Sequence, residues 1–174
     1  MFRKATLQDL DAIAAIYDAI HSREEAGLVV IGWNRSIYPT RASAEKSLND
    51  GDMFVLEEDG RILAAAKINQ KQEESYAEGT WTHEAADSEV LVLHTLVVHP
   101  EAAGRGIGTR FVDFYEECAA RMACPYLRMD TNARNAAARA LYRKLGYIEV
   151  SIVPCVFNGI AGVNLVLLEK TLSL

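Results

Sequence analysis

Three glycines at alternate positions, Gly104, Gly106 and Gly108, follow an apolar run that ends at Val98 and precede a stretch with helical spacing. Glycine lets a backbone turn left-handed and approach a ligand closely, and a helix behind it offers unpaired N–H groups and the positive end of its dipole. The chemistry this suits is anion binding, a diphosphate above all. Two phosphate motifs are excluded. A P-loop closes on Gly-Lys-Ser/Thr, whereas Gly108 is followed by Thr109 and Arg110; a dinucleotide fingerprint needs GxGxxG after the first strand, and this turn lies past mid-chain with other spacing.

The elements that must position the turn are readable by period. Residues 2–5 form a short strand, and Thr6 with Asp9 three residues on starts a helix whose face is Leu10, Ile13, Tyr17 and Ile20. Gly27 ends that unit. Thr40 and Ser43 are candidate caps for a second helix through Leu48, closed by Asn49-Asp50-Gly51. Residues 53–57 and 62–68 make a hairpin about Asp59-Gly60, and 71–87 read as a polar loop. Residues 90–98 are almost continuously apolar, which suits a strand buried on both faces. After the glycine turn, Phe111, Phe114, Tyr115, Cys118 and Met122 continue as a helix packed on a sheet. Residues 126–129 read as a strand, Asn132 or Asn135 starts a helix through Leu145 that Gly146 stops, and 147–157 and 163–171 are final strands around Asn158-Gly159. The order predicts an α/β fold with mixed pairing, antiparallel hairpins flanking one parallel crossover.

The chain's 174 residues, 50% of them hydrophobic, fit one domain over 1–174 with a full core. A net charge of -6 and a pI near 5.2 argue against a nucleic-acid surface and favour a small or cationic substrate. Cys118, Cys124 and Cys155 lack CxxC or Cys/His ligand spacing, so they read as reduced core thiols and no metal is expected. No apolar run reaches the roughly 18 residues of a membrane span, which predicts a cytoplasmic protein with no membrane partner.

Two segments resemble the GNAT family of N-acetyltransferases. The first is Leu96-Val97-Val98-His99-Pro100-Glu101 with Gly104-Arg105-Gly106-Ile107-Gly108, similar to that family's acetyl-CoA motif. The second is Asn135-Ala136-Ala137-Ala138-Arg139-Ala140-Leu141-Tyr142-Arg143-Lys144-Leu145-Gly146-Tyr147, similar to its N-x-x-A-x-x-L-Y-x-K-L-G-F/Y motif. The resemblance implies a mixed central sheet of about seven strands with about four helices, its strands splayed around an acetyl-CoA slot. Pantetheine would pair with the backbone of Leu96, Val97 and Val98, the diphosphate would sit on Ala103 to Thr109, and Asn135 would hydrogen-bond the pantetheine arm, its other reading being a helix cap. The family usually carries Gln or Arg where this chain has Ala103, and Arg105 or Arg110 would then supply the missing charge.

Acetyl transfer needs a neutral amine, a donor to the thioester carbonyl and a proton for the departing thiolate. By resemblance Tyr142 is that acid and a backbone N–H near Val97 the donor. His94, the one imidazole inside the apolar strand, is the first candidate base, since imidazole titrates near neutrality; its other reading is a hydrogen-bonded core histidine. Glu89, at the head of the strand, is the competing base acting through water. His99 reads as structural, His21 and His83 as surface residues. Trp33, Tyr38, Tyr76 and Trp81 lie in loops, either as lids on the core or as walls of an acceptor cleft. Glu24 and Glu25 are either a solvated helix end or partners for a positive charge. Final strands in the family border the acceptor site or a dimer contact, which makes Phe157 a pocket candidate and a homodimer an open expectation. The reaction expected is acetyl transfer from acetyl-CoA to a primary amine of a small molecule. A protein or peptide N-acetyltransferase and a non-catalytic acyl-CoA-binding regulatory domain share the motifs.

Overall fold

A computed structural model describes residues 1–173, and its centre is one seven-stranded mixed sheet. The strands are β1 (Phe2–Lys4), β2 (Met53–Glu58), β3 (Arg61–Asn69), β4 (Val90–Val98), β5 (Tyr126–Asn132), β6 (Ile148–Phe157) and β7 (Ile160–Thr171), in the spatial order β1-β2-β3-β4-β5-β7-β6. The helices are α1 (Leu10–Glu25), α2 (Arg41–Asn49), α3 (Ile107–Arg121) and α4 (Ala136–Lys144). Only β4 and β5 run parallel, joined by the crossover through α3. Every other pairing is antiparallel.

Alternation along the strands divides the core into two faces. Val55, Ala65 and Val97 pack beneath α1 and α2, with Ile13, Ile16, Tyr17 and Ala44 upon them. Leu91, Leu93, Leu127 and Met129 face the other way, onto Ile107, Phe111, Val112 and Tyr115 of α3 and Tyr142 of α4. Those α3 positions recur at four-residue spacing, and each large side chain so buried contributes about 1.5–3 kcal/mol. Tyr115 also donates its hydroxyl proton to the Leu91 carbonyl at 2.6 Å and lies 3.1 Å from that of Arg128, tying β4 to β5.

The sequence reading departs from the structure chiefly at β5. This strand runs three residues past Met129, and Asp130, Thr131 and Asn132 pair only with Leu167, Val166 and Leu165 of β7. The stretch 71–87 is not merely loop, since Glu74–Glu78 forms a short 3-10 turn that buries Tyr76. His21 is buried rather than exposed, because it lies one turn beyond Tyr17 on the core face of α1, with Nε2 2.9 Å from the Pro39 carbonyl. His83 is half-buried and stacks on Tyr126 at 5.0 Å. No helix among the described residues is long and apolar enough to cross a membrane.

Candidate active site

The parallel pairing of β4 and β5 covers only Val90↔Tyr126 to Leu93↔Met129. Beyond it the two strands part into a fork, and the β4 edge from 94 to 98 has no strand beside it. A bulge fixes the opening. Lys67↔His94 is followed by Ala65↔Val97, so three steps on β4 oppose two on β3, and Thr95 takes a left-handed φ of 52°. A cavity of about 280 Å³ fills the fork, lined by Leu93 to Val98, Asp130 to Asn132, Asn135 and Tyr142.

One wall of this cavity leads to the glycine turn. Gly104 and Gly106 have φ of 77° and 73°, a conformation costly for other residues. The first helical backbone bond of α3 runs from Arg110 N–H to Gly106 O at 3.0 Å, so the amides of 106–109 find no backbone acceptor among the described residues. An added Cβ at Gly104 or Gly106 would meet nothing within 4 Å, so the turn is open outward, while one at Gly108 would stand 3.2 Å from Leu141. Free amides, an open surface and a helix dipole suit a diphosphate. Ala103 lines the cavity. Arg105 and Arg110 both reach Glu58, at 2.9 and 2.7 Å, rather than the turn, so their charge is already partnered.

Asn135 keeps both of its readings open. Its Oδ1 accepts the Ala138 N–H at 3.1 Å as the cap of α4, while the residue also lines the cavity. One turn on, the Tyr142 ring is buried and lines the same cavity; burial, with the nearby Asp130 carboxylate, raises its hydroxyl well above the usual phenol range. That hydroxyl donates to no group among the described residues.

At the apex of the fork stand three titratable side chains. His94 is buried, its Nε2 3.0 Å from Asn69 Oδ1, and Glu73 Oε1 lies 3.1 Å from Nδ1 but off the line of a good hydrogen bond. His94 in turn holds the Glu73 carboxyl below the usual carboxylate range. Across the fork, Asp130 accepts the Tyr76 hydroxyl at 2.7 Å. Burial, against that hydrogen bond and with the Glu73 charge, pushes Asp130 up to about 7. Neither Glu73 nor Asp130 was singled out from sequence. Glu73 sits in the polar stretch, and Asp130 lies just past the strand end read there.

Glu89 does not reach this cluster. It is exposed before the closed end of the fork, and its carboxylate accepts the Ala86 N–H at 2.9 Å. The segment 71–89 is instead pinned by Arg128, whose guanidinium bonds Glu169 Oε1 (3.1 Å), Gln72 Oε1 (2.6 Å) and the His83 carbonyl (2.6 Å). Trp81 belongs to this buried strut and not to the cavity: its ring lies 4.0 Å over the guanidinium and its indole N–H donates to Tyr76 O at 2.9 Å. The outer wall comes from Trp33, Tyr38 and Phe157, all lining the cavity, with the Tyr38 hydroxyl bonded to Thr95 Oγ1. Burial pushes that phenol up to about 12. Neither Glu24 nor Glu25 faces the cavity as a free carboxylate. Glu24 accepts the N–H groups of Ile31, Gly32 and Trp33 and so shapes the wall, and Glu25 pairs with Arg35.

Comparison with known proteins agrees with this geometry. A family model described as the acetyltransferase (GNAT) family matches residues 13–147. S-(2-succino)cysteine N-acetyltransferase of Bacillus subtilis is 24% identical over 105 residues, 59% of this chain and 58% of its own, so the chain spans under two thirds of that relative's length. Among solved structures, a GNAT-family acetyltransferase from Streptococcus agalactiae matches with a TM-score of 0.83 and 25% identity, covering 99% of this chain and 95% of that one. An acetyltransferase from Salmonella typhimurium solved with acetyl-CoA matches with a TM-score of 0.70 and 18% identity, covering 99% and 94%.

Proposed function

The chain belongs to the GNAT family of acetyltransferases, and on that premise we propose that it moves an acetyl group from acetyl-CoA to the primary amine of a small molecule by direct attack. One observation carries the reading: an unpaired strand edge, Asn135 and Tyr142 line the same cavity as a cluster of titratable groups, and at Ala103 its wall leads to a turn of free amides. When bound, acetyl-CoA supplies an activated acetyl thioester. The amides of 106–109 hold its diphosphate, and the open edge at Leu96 to Val98 pairs with pantetheine as an added strand would. Asn135, its Oδ1 committed to the cap, has its amide hydrogens to give to the same arm. A backbone N–H near Val97 polarises the carbonyl. Tyr142, kept protonated by burial, gives its proton to the departing thiolate. The acceptor's own proton leaves through the titratable groups at the fork.

The size of the acceptor follows from the outer wall. An added Cβ on Gly32 would stand 2.2 Å from Asn132 Nδ2 and one on Gly159 3.1 Å from Ile37, so the wall segment abuts both β5 and the β6–β7 hairpin tip. A wall so held favours a small amine with an apolar part against Trp33, Tyr38 and Phe157. The Bacillus relative is named for a modified amino acid, which fits that size.

The test follows thiol release from acetyl-CoA with a panel of small amines, amino acids and peptides. Small amines are expected to drive release; release with peptides alone would overturn the acceptor class, and release with none, despite bound acetyl-CoA, the enzymatic reading. Tyr142→Phe is expected to lower turnover by about 100-fold while acetyl-CoA affinity stays within about twofold.

A further inference from the structure

Building on the acetyltransferase reading above, we infer that Asp130, rather than His94, takes the proton from the acceptor's ammonium. His94 and Asp130 are the first residues past the last β4–β5 pair, Leu93↔Met129, one on each diverging strand, and both line the cavity. They differ in what they have left to accept with.

The protons on His94 are set by its neighbours. Asn69 Nδ2 donates to Asp52 Oδ2 at 2.7 Å and Asn69 Oδ1 accepts the Lys71 N–H at 3.0 Å, which fixes the way the amide faces. Asn69 therefore presents Oδ1 to the imidazole, and Nε2 must be the donor. Nδ1 then faces Glu73 Oε1 at 3.1 Å. Nε2 is thus taken by Asn69, and Nδ1 is buried against the Glu73 carboxylate rather than open to the cavity.

Asp130 is not satisfied. Tyr76 occupies Oδ2, and Oδ1 accepts no hydrogen bond among the described residues. The groups that face this carboxyl are Glu73 and Tyr76 from the pinned segment, Lys67 from β3, His94 from β4, Tyr142 from α4, Cys155 from β6 and Tyr38 from the wall. Enclosure and the Glu73 charge bring it to about 7, where it is a competent base at neutral pH.

In the step, an N–H bond of the ammonium breaks, its proton goes to Asp130 Oδ1 and its electron pair stays on nitrogen. That pair forms the C–N bond as the C–S bond breaks, and sulfur takes the Tyr142 proton. The second proton shed by nitrogen restores Tyr142, and Asp130 returns its own to water.

The experiment measures kcat/KM against pH with two acceptors, an alkylamine that is ammonium near pH 7 and a weakly basic amine such as a hydrazide that is already neutral. Wild type is expected to lose activity on the alkylamine as pH falls through about 7. Asp130→Asn, which can still accept from Tyr76, is expected to lose about 100-fold on the alkylamine together with that limb, and to stay within about threefold on the hydrazide. His94→Gln is expected to retain the limb. Equal losses on both acceptors, or a limb that survives Asp130→Asn, would overturn the inference. Independently of turnover and of acetyl-CoA, carbon-13 NMR of labelled aspartate in the wild type should show one carboxyl with a midpoint near 7 that is missing from Asp130→Asn; midpoints all near 4 would sink the idea even if the variant did not fold. Wild type inactive on both amines is a failure of the acetyltransferase reading itself, and distinct from these results.

Discussion

Replacing Arg128 by methionine probes the strut that holds the segment carrying Glu73 in place. The Arg128 and Glu169 side chains are 4% and 1% exposed, and both Nε and Nη2 lie on Glu169 Oε1, at 3.2 and 3.1 Å. Methionine fills much of the same volume beneath Trp81 but leaves the Glu169 carboxylate with the Thr82 N–H at 3.0 Å as its remaining hydrogen bond, and strands the Gln72 and His83 oxygens. Breaking a buried pair from one side costs about 3–5 kcal/mol, since a charge is left in the interior. For a chain of this length each kcal/mol lowers Tm by about 2–4 °C, so a fall of roughly 6–20 °C is expected. Urea titration should give a lower midpoint at unchanged slope. The double variant Arg128→Met/Glu169→Leu removes both charges and should recover most of the loss, giving a favourable coupling in the cycle. A single-variant loss under about 1 kcal/mol, or a double variant less stable than the single, would refute the assignment of Arg128 as the pin. Because Glu73 and Tyr76 lie within the pinned segment, the single variant should also raise the acceptor KM.

Two further perturbations act away from the reacting atoms. Arg3, with the Thr6 N–H and hydroxyl adding to it, holds the Asp9 carboxyl down to about 2. A depressed folded pKa gives stability that is complete above the unfolded value near 3.9 and is lost as pH falls towards 2. Discounted for a guanidinium that is 27% exposed, that is about 1–2 kcal/mol. Asp9→Asn should therefore cost stability at pH 7 and only about a third as much at pH 2.5, just above the folded value, and urea midpoints shifted equally at both would contradict it. Glu24→Ala releases three backbone N–H groups of the cavity wall, so the acceptor KM should rise and limited proteolysis within residues 28–38 should accelerate, with acetyl-CoA affinity unchanged; a wall as resistant as in the wild type would rule out the anchoring role.

What the sequence disclosed was local. The glycines, the Asn135 cap and the spacing from Asn135 to Tyr142 are set by backbone conformation within a turn or two, and each stands where the structure has it. Glu89 and Glu73 show the opposite case. Both are glutamates near His94, but Glu89 lies five residues down the strand, about 16 Å at the strand rise, on the closed side of the fork. Glu73 arrives from a segment whose position depends on Arg128, 55 residues later in the chain, and on Glu169 beyond that. No period within the segment encodes that placement. His21 was within reach of sequence reasoning, since it extends the Tyr17 face by one turn.

Thr95 links these scales. A left-handed φ at a β-branched residue costs about 1–3 kcal/mol, and a glycine would relieve it. Threonine's hydroxyl, however, is what the Tyr38 hydroxyl meets. The extra residue it accommodates turns Val97 under α1 and leaves Leu96 and Val98 toward α3, so the strand changes face parity where it leaves β5. Without that change the residues after His94 would point to the opposite faces and the open edge of β4 would be differently presented. The same contact ties the wall carrying Trp33 and Tyr38 to the bulge. The open strand edge and the wall carrying Trp33 and Tyr38 are therefore registered to one strained residue.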